Sequence, residues 1–491
     1  MKLFLRKSCL ITTVIISISL SGYASSTKEF PKENIYKGSV TKPLTLSFAF
    51  NYTATTPLLH PPYISGVVED PTDPAATFGF VVDIKENDKA IPANDYTLTA
   101  VSSNTLIIHN NNILITKADG QANIKIIPSG FGYSNVTLTL TKGKSSETLV
   151  VNYAASAAVD TPANTFWHTG ISDASAAIAL DSNYMVIGDD EQNELCVYHR
   201  FQSGLPVAVF KYEDFLGLAD GNKDNYKEVD CEAATRSLIH PERVYWTGSM
   251  SNGGKRYEEK PNRNCLFATD ISGTGATTKF VFAGVNKDLR KLLINWGDKH
   301  GYKFSASATS GTGPKRIDGF NIEGIVFAPD STTLYIGFRA PLVPVTNRTN
   351  ALIAPIQNFE QWFNNGGHPS GNPVIGEPIE LNLGGRSVRD IIHLTNGKYI
   401  IVAGTYDEIL NGAVYSWSGK ATDQPVLLNT ADVFSLSAEG AMEMFENGKP
   451  LAGKLQLISD NGSARFYNDG VKTKLLQPNF KKFRSDIIHL P

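Results

Sequence analysis

The chain has 491 residues, 42% hydrophobic and 19% charged, a globular balance that excludes wholesale disorder. Lys and Arg number 45 against 48 Asp and Glu, a net charge of −3, so the charge gives no sign of a nucleic-acid partner. The length suits about two to four domains.

Lys2, Arg6 and Lys7 precede an apolar run over 8–20, and Gly22-Tyr23-Ala24 puts small residues where a signal peptidase reads. This predicts a signal peptide over 1–24 and a secreted or periplasmic protein. The run is shorter than the roughly 20 apolar residues of a membrane span, and no later segment offers one. No span is therefore expected after cleavage. Cleavage removes those three cations and no acid, and the mild acidity that results disfavours membrane-surface or polyanion binding. Cys9 leaves with the signal, and Cys196, Cys231 and Cys265 remain. An odd number without C-x-x-C spacing reads as small buried residues, not a disulfide framework or zinc site. Cys231 and Cys265 read as opening the first and third strands of one sheet. That separates them by about 10 Å, too far for a disulfide.

Residues 25–40 are polar and Lys-rich, a linker. Over 41–154, apolar and polar residues alternate in short runs, clearest at 95–100, 122–126 and 135–141, with Asn, Asp and Gly turn signals between them. Short alternating strands at this spacing predict a β-sandwich. The stretches 64–82, 98–108 and 126–143 resemble bacterial Ig-like modules. Asp70 and Asp73 flank Pro71-Thr72; they are either Ca²⁺ ligands or caps of a Pro-stiffened turn.

Residues 155–165, rich in Ala and Pro, form a second linker. A degenerate repeat fills 166–491. Five times an acidic residue leads an apolar strand: Asp173, Glu232, Glu323, Asp390 and Glu439. Second strands follow at 184–188, 244–248, 334–338, 399–403 and 455–458. Third strands read at 195–198, 265–268, 351–354, 413–417 and 464–467, and fourth strands at 207–210, 279–282, 378–383 and 425–428. Four antiparallel strands per unit, repeated, predict a β-propeller of five to six blades, making the chain all-β. Residues 285–296 interrupt the pattern with a helix, Leu289, Leu292, Leu293 and Trp296 on one face and Asn286 as cap. Residues 303–316, rich in Ser and Gly, read as a mobile connection. Arg484 to Leu490 echoes Arg389 to Leu394; it is either a final outer strand or an inner strand completed elsewhere.

Several pieces of this region, in order along it, carry a resemblance. They include 172–177 (SDASAA), 189–200 (DDEQNELCVYHR), 244–252 (VYWTGSMSN), 321–324 (NIEG) and 381–391 (LNLGGRSVRDI). The region resembles an uncharacterised bacterial β-propeller family, distantly similar to the esterase-like activity of phytase family. The resemblance implies a propeller and the possibility of ester or phosphoester hydrolysis. It puts a His where this chain has Met250.

Propeller geometry brings the motifs together. First strands begin, and second strands end, on one face. The leading acids Asp173, Glu232, Glu323, Asp390 and Glu439 then ring the axis, near Asp189, Asp190, Glu191 and Asp460. Such a ring repels itself unless compensated. Arg263, Arg339, Arg386 and Arg389 can pair with the acids or receive a small anionic ligand. Ca²⁺ can take the oxygens, or the acids can bind backbone N–H groups of the next blade. No G-x-S-x-G elbow, H-E-x-x-H motif or phosphate loop occurs. His168 and His199 read as structural. Two functions follow: a calcium-dependent ester or phosphoester hydrolase, or a non-enzymatic module that binds a ligand or cell-surface component, with the Ig-like domain as spacer.

Overall fold

The computed structural model describes residues 46–52, 58–218, 228–363, 373–429 and 433–491. The expected signal peptide and first linker lie outside the described residues. Among the described residues no helix is long and apolar enough to cross a membrane.

The period-two stretches of the N-terminal region form two sheets. One holds Leu46–Phe50, Phe80–Glu86, Gln121–Ile126 and Ile113–Ala118, with Lys89–Ala90 on its flank. The other holds Tyr63–Val67, Ser145–Ser156, Gly132–Lys142 and Thr97–Ser102, the first two parallel. Val82, Ile84, Ile124 and Ile126 share one core with Val136, Leu138, Leu140 and Val151. Alternation therefore does here what the pleat requires, sending every second side chain inward. Asp73 caps the short helix Pro74–Thr77 through Ala75 N (2.8 Å) and accepts from Val67 N (3.1 Å). Asp70 accepts from Thr72 N (2.8 Å) and Ser203 Oγ (2.5 Å). The turn alternative describes these two carboxylates, whose oxygens are taken by N–H and O–H donors.

The repeat region forms five four-stranded antiparallel sheets, a propeller-like arrangement. Their inner strands are Ala174–Ala179, Cys231–Arg236, Asn321–Phe327, Ser387–His393 and Ala438–Glu446. Each touches the next, and the last touches the first. The fifth sheet is composite: Thr165–Thr169 lies outermost against Lys482–His489, followed by Lys449–Ser459 and Ala438–Glu446. The strand expected at 464–467 is absent, and the 484–490 echo takes its place as third strand. Residues 460–481 become a long connection instead, because their aromatics have another surface to cover. Tyr467 and Phe480 pack beside Ala154 of the sandwich, and Tyr467 OH lies 2.8 Å from Ser65 Oγ.

Lys482 completes that junction. Its buried ammonium donates to Gly66 O (2.9 Å) and Ser156 Oγ (3.0 Å) and lies over the rings of Trp167 and Tyr467. Burial lowers its pKa to about 7, with Asp73 and Asp70 opposing.

Two other readings change. The helix begins later, at Leu289–Lys299, because 279–286 continues as an outer strand; Asn286 Oδ1 still accepts from Asp288 N and Leu289 N. Residues 303–316 are not a free connection. Phe304 is buried, and Asn252 Nδ2 donates to the carbonyls of Ala308, Thr309 and Thr312. The three described cysteines are free and buried. Gly248 stands between two of them, paired with Cys231 on one side and donating to Cys265 O on the other.

His168, on the outermost strand of the fifth sheet, is buried with Nε2 2.9 Å from Ser485 Oγ. Burial, with a smaller contribution from His199, lowers its pKa to about 3. A histidine depressed in the fold below its unfolded value near 6.5 contributes fully above that value and loses its contribution as pH falls toward the folded value. Between pH 7 and 4.5 it should cost about 2 kcal/mol of stability. Guanidinium titrations at the two pH values should show a smaller gap in His168→Gln; an unchanged gap would place the acid sensitivity elsewhere.

Candidate metal centre

One backbone device places the central side chains. The second or third residue of every inner strand is skipped in the pairing with the second strand: Ser175, Glu232, Glu323, Arg389 and Glu439. A bulge re-aims the side chain it carries. Here five bulges at equivalent positions bring their side chains together across sheets. Ser175 Oγ donates to Glu439 Oε2 (3.0 Å). Arg389 pairs with Glu439 and, at 3.1 Å, with Glu323 Oε2. Arg339 Nη1 lies 2.6 Å from Glu323 Oε1, and its other nitrogens donate to Tyr406 O and Asp407 O. Glu323 is thus 1% exposed yet neutralised from two sides.

The sequence ring needs one correction. Asp390 is not its fourth member; the bulge selects Arg389. Asp390 occupies the next position, where the other sheets have Ala176, Ala233, Gly324 and Gly440. Its carboxylate accepts from Ile391 N and from Ala441 N of the neighbouring inner strand, both at 2.8 Å. It is a lock between sheets. Burial raises its pKa to about 7 against these two donors.

Glu232 differs from its equivalents. It is 6% exposed, and no described residue hydrogen-bonds or ion-pairs with its carboxylate. Its oxygen falls with those of Asp190 and Asp230 into a group whose atoms lie within 4.8 Å of one another. Asp190 belongs to a second such group with Asp173 and Glu191. Asp190 Oδ1 is buried without a hydrogen-bond partner. Asp460 adds its charge to both Asp173 and Asp190. Asp189 is used locally, accepting from Asp173 N (3.2 Å) and Glu191 N (2.9 Å).

The crowding appears in the protonation equilibria. Burial and then Asp460 raise the pKa of Asp173 to about 6. Burial and then Asp173 raise that of Asp189 to about 8. Burial, then Asp460 and Asp173, push Asp190 well above the usual carboxylate range. Burial and Glu323 do the same to Glu232. Asp460 is raised too, chiefly by burial.

Two cations partly compensate the acids. Arg263 pairs with Glu228 and, at 2.7 Å, with Asp230 Oδ2. Lys474 pairs with Glu191 and stands 3.8 Å from Asp173 Oδ1. The backbone of Gly462 lies so close to Asp173 that an added Cβ would meet Oδ1 at 1.6 Å. Arg386 is not gathered in; it donates to Asn411 O (2.9 Å) and Asn411 Oδ1 (2.7 Å) on its own sheet. Arg263, Arg339 and Arg389 all have carboxylate partners, although Arg263 Nε and Arg389 Nη1 remain buried without acceptors. Met250 is a core residue whose backbone oxygen accepts from Arg290 Nε.

The sequence reading missed Asp230, Glu228 and Lys474. Asp230 had a signal, because it precedes its inner strand as Asp173 precedes its own. Lys474 had none, since it lies beyond the strand expected at 464–467, in a stretch with no motif of its own. The oxygen-only donor set suits a hard cation such as Ca²⁺.

No protein-family model matches this chain, and no curated protein matches it. Solved structures give distant likenesses. A DUF4623 family protein from Bacteroides eggerthii is 9% identical over 84% of this chain and 89% of that one, with a TM-score of 0.27. Virginiamycin B lyase from Staphylococcus aureus is 12% identical over 61% and 68%, with a TM-score of 0.24. Levansucrase from B. megaterium is 10% identical over 67% and 84%, with a TM-score of 0.29. Likenesses at this level establish no activity.

The two halves of the centre should respond differently to mutation. Glu323→Gln leaves Arg339 and Arg389 buried with one partner fewer. It is expected to cost roughly 3–5 kcal/mol in denaturant unfolding, equally with calcium and with chelator. A loss confined to calcium-containing buffer would make Glu323 a ligand instead.

Proposed function

We propose that the protein is exported and that Asp190, Asp230 and Glu232 hold a divalent cation, Ca²⁺ by the chemistry of the donors. The observation that carries this is the unpartnered carboxylate pair, Glu232 and Asp190 Oδ1, beside Asp230. Burying carboxylates without donors is costly, and a cation is the partner that relieves several at once. A cation held there by Asp190, Asp230 and Glu232 would supply polarisation of an ester or phosphoester oxygen and a more acidic water. Asp173, with its pKa near 6, suits proton transfer near neutral pH. We therefore read the protein as a metal-assisted ester or phosphoester hydrolase. The arginines hold the acids in place in this reading and do not clamp the substrate. The implied likeness to the esterase-like activity of phytase family agrees with it.

The alternative is a non-enzymatic binding module with an Ig-like domain as spacer. The buried Lys482 junction favours it in one respect: a ligand gripped at the acidic centre and an attachment made through the sandwich would be mechanically joined.

Calcium should raise the thermal midpoint of the wild-type chain, by linkage worth about 2.7 kcal/mol at a concentration one hundred times Kd. Glu232→Gln should abolish that rise and leave the calcium-free protein at least as stable, because an unpaired buried carboxylate is gone. Absence of a calcium effect on the wild type would end the metal reading. Calcium-dependent turnover of p-nitrophenyl phosphate or acetate, lost in Asp190→Asn, would support the hydrolase. Binding without turnover of either ester would favour the module.

A further inference from the structure

Asp190 is shared by two groups of acids, and the two are neutralised differently. In the group with Asp173 and Glu191, an ammonium is already in place: Lys474 pairs with Glu191 and lies 3.8 Å from Asp173 Oδ1. In the group with Asp230 and Glu232, Arg263 pairs with Asp230, Asp190 Oδ1 is buried without a partner, and no described residue hydrogen-bonds or ion-pairs with Glu232.

Lys474 is also held where it is. It lies in the short helical turn Thr473–Leu475, whose Thr473 is buried. Its backbone N–H donates to Gly462 O (3.2 Å), and Thr473 N donates to Ala464 O (2.8 Å). Farther along the same connection, Asn479 Nδ2 donates to His60 O (2.9 Å) and Tyr63 O (3.0 Å) on the sandwich. The ammonium is thus delivered by a fixed backbone rather than by a freely moving loop.

We propose that Lys474 is a tethered cation occupying one half of a two-cation centre. The Asp190–Asp230–Glu232 half is left for a divalent ion, and the Asp173–Asp190–Glu191 half is closed to one. Removing the ammonium should open the second half, with Asp190 as the shared carboxylate. The inference rests on the metal reading above, and the experiment separates the two.

Equilibrium dialysis with Mn²⁺ and Ca²⁺ on the full chain should give one site for wild type and two for Lys474→Gln. Electron paramagnetic resonance of the Mn²⁺-loaded variant should show a spin-coupled pair where the wild type shows an isolated ion. Lys474 is partly exposed, and near-ultraviolet circular dichroism matching the wild type verifies the fold; Lys474→Met repeats the test without a polar head. Lys315→Gln, which removes an exposed lysine paired with Glu408, should leave one site. One site in wild type and in both Lys474 variants would overturn the proposal, as would two in wild type. No Mn²⁺ or Ca²⁺ bound by the wild-type chain would remove the metal reading itself.

Discussion

Arg389 stands between Glu323 and Glu439, one acid from each neighbouring sheet, and the centre of the molecule is arranged around that contact. A guanidinium between two carboxylates converts like-charge repulsion into attraction, and in a low-dielectric interior that difference is large. The link continues to Ser175 through Glu439 and to Arg339 through Glu323. Four of the five bulge positions are therefore connected, and the chain of contacts stops at Glu232. Substituting an acid for Arg389 would add a fourth carboxylate beside Glu232, Glu323 and Glu439 and remove the cation between the last two.

The charge that the arginines do not cancel collects on the side of Glu232. Asp173, Asp190, Glu191, Asp230 and Asp460 come from the starts of two inner strands and the ends of two second strands. Several are pushed toward protonation by burial and by one another. A fold selected only for stability would gain by replacing them with apolar side chains of similar size. Perturbed carboxylates concentrated at one point of a fold mark a place for chemistry or binding. The same fold shows how structural acids look: Asp390 and Asp73 are buried, and both oxygens of each accept a backbone N–H.

Sequence reasoning worked where the local pattern is the cause. The strand positions of the first four sheets, the alternation behind Val136, Leu138 and Leu140, and the separation of Cys231 from Cys265 by one strand follow from spacing alone. It failed where a remote partner decides. Residues 464–467 are apolar enough for a strand, but they cover the sandwich, and the fifth sheet takes its outer strands from both ends of the repeat region. The 303–316 segment looks flexible by composition, yet Asn252 and Arg290 bind its carbonyls. The site was legible in kind but off by a residue at Asp390. The acidic residue drew attention there, whereas the bulge acts on its neighbour Arg389. No one-dimensional pattern reveals a bulge that only the second strand defines.

The composite fifth sheet has a consequence for how the protein is made. The sandwich owns a self-contained core and is complete once residue 156 has been synthesised. The fifth sheet must leave one edge of its strand Thr165–Thr169 unpaired until Lys482–His489 appears, after every other described strand, although the other edge bonds Gly204 much earlier. At about 5–20 residues per second, that wait lasts tens of seconds, during which an apolar edge containing Phe166 and Trp167 stays uncovered. A nascent chain of this design depends on whatever shields that edge, whether a chaperone or its own half-built neighbours, until the last strand arrives.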